Sequence, residues 1–147
     1  MLPADRPTRD ALPYRLPMTT RWSDNDVYGH MNNVVHYALF DTAVNQWLRS
    51  EAGLMVPGGA VVGLVAETGC RYFAEVGHPD PIEVGLGATR VGRTSITYRL
   101  ALFGPDPQAV AVCRYVHVYV DAETRRPVPL PETLRASAEA VQVADTA

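Results

Sequence analysis

Arg21-Trp22-Ser23-Asp24-Asn25-Asp26-Val27-Tyr28-Gly29-His30-Met31-Asn32-Asn33 is polar and turn-rich, and it separates two stretches of different periodicity. On its N-terminal side Leu16, Met18, Thr20 and Trp22 alternate with Arg15, Pro17, Thr19 and Arg21, the period of a strand with one buried face. Pro17 cannot donate a ladder hydrogen bond, so the strand is expected at a sheet edge or with an irregularity. On the C-terminal side Asn32 or Asn33 offers a cap to a helix running to about Ala52, where Gly53 provides the stop. That helix spans roughly 20 residues and about 30 Å. Val34, Val35, Tyr37, Ala38, Leu39, Phe40, Ala43, Val44, Trp47 and Leu48 cover most of its circumference, while Asp41, Thr42, Asn45, Gln46 and Arg49 gather on one stripe. Such a helix requires protein on most sides.

After a loop at Pro57 to Gly59 the chain reads almost wholly as strands. A run from about Ala60 to Val76 ends at the turn Gly77-His78-Pro79-Asp80-Pro81. Ile82, Val84, Leu86 and Ala88 then alternate with polar or small residues, the chain turns near Gly92-Arg93, and Ile96, Tyr98, Leu100 and Leu102 mark the next strand. Beyond Gly104-Pro105-Asp106-Pro107 a last strand carries Val110, Val112, Val116, Val118 and Val120 on one face and Ala111, Cys113, Tyr115 and Tyr119 on the other. Hairpin-length turns imply antiparallel pairing. The order of strand, long helix and four strands predicts an α+β fold, a mostly antiparallel five-stranded sheet wrapped around one long central helix. The second face of the last strand is too apolar for water. It is expected to bury against another subunit, giving a homodimer or homotetramer. Pro127, Pro129 and Pro131 form an extended connector to a terminal helix from Glu132 to about Ala144. The whole chain, 1–147, reads as a single domain, with 1–12 and 132–147 peripheral or flexible.

A formal charge of -3 and a hydrophobic fraction of 47% describe an ordinary globular chain with no broad cationic field, which argues against nucleic-acid or membrane-surface partners. No apolar run is long enough for a bilayer span, and the first dozen residues carry Asp5, Arg6, Arg9 and Asp10 instead of an apolar signal core. Two cysteines, Cys70 and Cys113, do not form a disulfide framework. A cytoplasmic protein with free thiols is expected.

The chemistry concentrates in the loop before the helix. A carboxylate, an imidazole and several amides open onto a helix N-terminus, where unpaired N–H groups and the dipole favour negative charge. A thioester carbonyl placed there is polarised, and its hydrolysis needs an activated nucleophile together with donors for the oxyanion. Asp26 fits either a general base toward water or a nucleophile that forms an anhydride. The backbone N–H groups around Asn32 and Asn33 are the oxyanion donors, and His30 is placed to hold the carbonyl or orient water. No H-E-x-x-H spacing joins His30, His36, His78 and His117, so no metal is expected. Ser23 with His30 lacks the G-x-S-x-G setting of a nucleophilic serine. Gly85-Leu86-Gly87 lies inside a strand instead of opening a helix, so close backbone packing accounts for it better than nucleotide binding.

Asp24, Asp26, Gly29, His30, Asn32 and Asn33 fit D-x-D-x-x-G-H-x-N-N, and here the sequence resembles the 4-hydroxybenzoyl-CoA thioesterase family and related bacterial acyl-CoA thioesterases. The resemblance continues through Val34 to Trp47, Gly92-Arg93-Thr94-Ser95 and Tyr115 to Asp121. It implies a hot-dog fold and hydrolysis of an acyl-CoA, with Asp26, His30 and Asn33 as the catalytic set and no cofactor, since CoA is part of the substrate. Tyr28, Asn32, Val34, Tyr37, Arg93 and Ser95 are the expected substrate contacts. Some relatives place a histidine where this chain has Asn33, and the family's Pro-Ala-Arg or Pro-Val-Arg stretch is replaced by Ala74-Glu75-Val76.

Plainer readings stand beside these. Asp24 is expected to cap the loop, and Asn32 to cap the helix. Arg90, Arg93 and Arg99 are ordinary surface cations unless they meet CoA phosphates, and Glu67 is a reserve acid or base. Acyl-ACP hydrolysis and a non-catalytic acyl-CoA-binding module are the competing functions. A hydratase is disfavoured, because Tyr28 stands where a D-x-N-x-x-H pattern has Asn.

Overall fold

The computed structural model describes residues 6–145. Strand β1, Tyr14–Met18, is followed by helix α1, Asn33–Ser50, then β2, Val61–Tyr72, β3, Ile82–Val91, β4, Ser95–Phe103, β5, Ala111–Asp121, and helix α2, Glu132–Ala140. The five strands form one sheet in the order β1-β3-β4-β5-β2, every neighbouring pair antiparallel. The α+β architecture expected from the sequence is present, with Pro17 on an edge strand. Residues 1–5 and 146–147, the ends of the two peripheral stretches, lie outside the described residues.

The first strand is shorter than its alternation predicts. Asp24 draws the chain away from the ladder by accepting the Arg21 backbone N–H at 2.8 Å. A 3-10 turn forms at Trp22–Asp24, leaving Trp22 81% exposed instead of on a buried strand face. The helix begins where a cap allows it: Asn32 Oδ1 accepts the Val34 N–H at 2.9 Å. Gly53, with φ +68°, follows its end.

The core fills the space between α1 and the inner face of the sheet. Phe40, Ala43, Val44, Trp47 and Leu48 of α1 pack with Val84, Leu86, Ile96, Tyr98, Leu100 and Leu102 of β3 and β4. Burying each large apolar side chain contributes about 1.5–3 kcal/mol. Ala111, Cys113, Tyr115 and Tyr119 of β5, all 0–2% exposed, face this core. That corrects the expectation of a subunit contact there: the tyrosine face of the last strand is covered by the chain's own helix, and Val112, Val116 and Val118 occupy the half-buried outer face. The helix is less enclosed than its composition suggests, since Val34 is 69% exposed and Ala38, Asp41, Thr42 and Arg49 are also exposed.

Gly85 and Gly87 let the chain ends lie on the outer face of β3. A Cβ would come within 2.9 Å of Leu12 at Gly85 and within 2.9 Å of Val143 at Gly87. Leu12 is buried, as are Leu134 and Ala138 of α2. Helix α2 stops at Ala140, short of the expected Ala144, because the following residues extend along β3, with Val143 N–H donating to Ala88 C=O at 2.8 Å.

Candidate active site

The loop between β1 and α1 is held at both ends by backbone bonds. Asn32 N–H donates to Asp24 C=O at 2.9 Å, and Met31 N–H donates to Val76 C=O at 2.8 Å. Asn25 grips the turn after β2, its Oδ1 accepting the His78 N–H at 3.0 Å and its Nδ2 donating to His78 C=O at 3.3 Å. Asp24 is 5% exposed and accepts from both the Arg21 amide and guanidinium. These bonds hold its carboxyl below the usual carboxylate range. Asp24 is thus the loop's staple, as its capping reading anticipated.

Asp26, Tyr28, His30 and Asn33 come together in the wall of an open cleft of about 450 Å³, with Met31, His36 and Tyr72 to Val76 completing it. Asp26 Oδ1 accepts the Tyr28 N–H at 2.8 Å, an Asx turn that fixes the carboxyl group. Its Oδ2 receives no hydrogen bond among the described residues. Gly29, with φ +86°, closes the turn, and the Asp26 N–H donates to His30 C=O at 2.9 Å. His30 Nε2 lies 3.8 Å from Glu75 Oε1, a partly exposed pair of small energetic value.

The helix start supplies a donor. Asn32 Oδ1 takes the Val34 N–H and Asn32 C=O takes the Val35 N–H, so the Asn33 N–H between them has no acceptor among the described residues. An acceptor-free amide at the positive end of an 18-residue helix, beside a fixed carboxylate, suits an oxyanion or carboxylate guest.

Five expected contacts do not line the cleft. Asn32 faces its own helix as the cap, and Val34 and Tyr37 lie farther along α1. Arg93 and Ser95 belong to the β3–β4 hairpin, where Gly92 N–H donates to Ser95 C=O at 2.8 Å. Arg99 lines a separate cleft of about 290 Å³ with Arg71, Arg114, Cys70 and Cys113. Glu67 pairs with Arg114 at 3.4 Å on the exposed part of β2.

Of the cleft's polar side chains, three were given no site role by sequence reading: His36, Tyr72 and Glu75. His36 was within reach of it, because a position four residues after the cap lies on the face of α1 that returns over its own N-terminus. The residue is 5% exposed, and its ring meets the Tyr72 ring edge-on at 5.0 Å. Burial holds its pKa below the usual imidazole range, against the raising effect of its hydrogen bond to the Asn32 carbonyl. No group of three metal-binding side chains occurs among the described residues. None of their helices is long and apolar enough to cross a membrane.

A family model described as the thioesterase-like superfamily matches residues 20–137, from just after β1 into α2. The chain belongs to the thioesterase-like superfamily. Its five-stranded sheet and long helix are that superfamily's hot-dog fold. The PA5185 protein of Pseudomonas aeruginosa strain PAO1 is 47% identical, with 95% of this chain and 99% of that chain covered and a TM-score of 0.92. A thioesterase of Thermus thermophilus, solved in complex with coenzyme A and Zn, is 26% identical, with coverage of 86% and 98% and a TM-score of 0.74. The uncharacterized protein YsmA of Bacillus subtilis (strain 168) is 25% identical over 80 residues, and the chain spans about half, 54%, of that curated relative's length.

Proposed function

We propose that this superfamily member hydrolyses an acyl-CoA thioester to a carboxylic acid and free CoA in the cleft at the start of α1. One juxtaposition carries the reading: the anchored Asp26 carboxylate and the acceptor-free Asn33 amide share one open cleft. The thioester carbonyl accepts from the Asn33 N–H, and Asp26 Oδ2 takes a proton from water as its oxygen attacks the carbonyl carbon. The C–S bond then breaks and the proton passes to the leaving sulfur. His30 borders the carbonyl, and Tyr28 borders the pantetheine. Val34 and Tyr37 extend the acyl site along α1, and Arg93 and Ser95 reach the substrate from the hairpin of a second subunit. The coenzyme A bound to the Thermus thermophilus thioesterase supports CoA over ACP as carrier.

The reaction uses water and substrate alone, so activity is expected to survive chelation of metals. Thiol release from short, medium, long and aromatic acyl-CoAs tests the reading, and no release from any of them would overturn it. Single turnover in ¹⁸O-water probes the two routes for Asp26: label entering the Asp26 carboxyl identifies an anhydride opened by water at the Asp26 acyl carbon, whereas a general base leaves the label only in the product acid.

A second copy of the chain is part of this proposal. Among the described residues strand β2 pairs only with β5, leaving one edge of a 12-residue strand open. Leu64, Val65 and Tyr72 of that strand are 42%, 51% and 44% exposed, and Val34 at the start of α1 is 69% exposed. Pairing of two β2 edges covers these residues in a homodimer, alone or as half of a homotetramer. A monomer mass independent of concentration in sedimentation would overturn it.

A further inference from the structure

His36 lies in the wall of the Asp26 cleft, and the hydrolysis written above gives it no task. Its Nδ1 is 3.3 Å from the Asn32 carbonyl oxygen. A carbonyl only accepts, so Nδ1 carries the hydrogen, and Nε2 of the neutral ring is a bare acceptor. Among the described residues no buried side-chain nitrogen or oxygen lacks a hydrogen-bond partner. Nε2 has no such partner, so it is the ring atom that retains contact with solvent, and the solvent beside it is the cleft. Tyr72 closes the flank edge-on with an interplanar angle of 85°. The titratable groups around the ring are Asp26, Tyr28 and His30 from the loop and Tyr72 and Glu75 from β2 and the segment after it. Burial, the larger cause, and His30 both disfavour a charge on His36, which preserves its acceptor.

We propose that His36 Nε2 accepts a hydrogen bond from the water that attacks the thioester, holding it between His36 and the Asp26 carboxylate. This rests on the thioester-hydrolase reading. A water has two O–H bonds: one is directed at Asp26, which removes that proton, and the other at His36. The oxygen lone pair is thereby left for the carbonyl carbon. In the step the C–O bond forms, the C–S bond breaks and the proton travels from water through Asp26 to the sulfur. His36 neither gains nor loses a proton, so it is a positioning residue for the nucleophile.

The test compares wild type, His36→Phe and His36→Gln by steady-state thiol release, with circular dichroism to establish folding. His36→Phe, which keeps a planar ring and loses the acceptor, is expected to lower kcat roughly 10- to 100-fold while KM stays within about threefold. His36→Gln, whose amide oxygen accepts, is expected to recover much of the loss. A folded His36→Phe with wild-type kcat, or a loss confined to KM, would overturn the inference. Long-range ¹H–¹⁵N spectra of the histidine rings provide a readout independent of turnover: the Nδ1–H form of His36 is expected, and an Nε2–H form would sink the proposal. If wild type releases no thiol, the hydrolase reading fails and takes the inference with it. If wild type is active and both variants match it, the inference alone fails.

Discussion

Two polar clusters flank helix α1, one at its N-terminus and one beneath its middle, and each contains a nearly buried histidine. At the N-terminus His36 borders a cleft shared with Asp26, His30 and Asn33. Beneath the middle, His117 is 2% exposed among Tyr98, Tyr115 and Tyr119, with its Nδ1 3.1 Å from the Tyr119 hydroxyl. That hydroxyl is 2.6 Å from the Tyr98 hydroxyl, and Tyr115 donates to Asp41 of α1. Burial lowers both imidazoles, His117 to about 4. The hydroxyls of the inner cluster are spent on one another and on their helix, and His117 lines neither cleft. At the helix start an amide, a carboxylate oxygen and an imidazole nitrogen are left over. Burial of a polar group therefore does not distinguish chemistry from structure; what remains unbonded beside a cavity does.

The largest test of this contrast is Asp26→Asn. The amide oxygen still accepts the Tyr28 N–H, so the thermal midpoint should barely move, while kcat should fall on the order of 10³-fold. Equal rates in the two proteins would make the loop as structural as the tyrosine cluster. Acid provides the opposite test. An unfolded His117 protonates near 6.5 and the folded one only near 4, so its contribution to stability is intact above about 6.5 and lost as pH falls toward 4. The loss is on the order of 3 kcal/mol. Denaturant melts at pH 7 and 4.5 should show it, and His117→Asn should flatten the difference between the two pH values.

Tyr119→Phe is expected to cost about 1–3 kcal/mol by stranding the Tyr98 hydroxyl and His117 Nδ1, with thiol release unchanged. Impaired turnover at preserved fold would show that the inner cluster also serves the reaction. Smallest is Asn32→Ala, which removes the cap on Val34 at a cost of about 1 kcal/mol. Because the same cap positions the Asn33 amide, kcat should fall with the melting temperature, unlike in Tyr119→Phe.

The sequence made the elements legible wherever one periodicity ran uninterrupted. The helix cap at Asn32, the edge position of the Pro17 strand and the packing role of Gly85 and Gly87 were all readable, because each follows from a backbone requirement local to the residue. The strand through Trp22 was not, since a side-chain bond from Asp24 overrides alternation there. The inner and outer faces of β5 were confused because both are apolar. A residue's place along a strand is local, whereas which face meets the helix depends on a partner element far away in sequence.

By itself the sequence determined the α+β element order, the cap that starts α1 and the concentration of Asp26, His30 and Asn33 at that start. Those features are short-range, fixed by spacing and turn chemistry within a few residues. Only the tertiary structure decided that the tyrosine face of β5 is core, that Tyr72 and Glu75 close the cleft, and that His36 belongs to it. Each of these depends on how β2 and β5 fold back against α1, and contacts between elements dozens of residues apart leave no periodic trace in the chain.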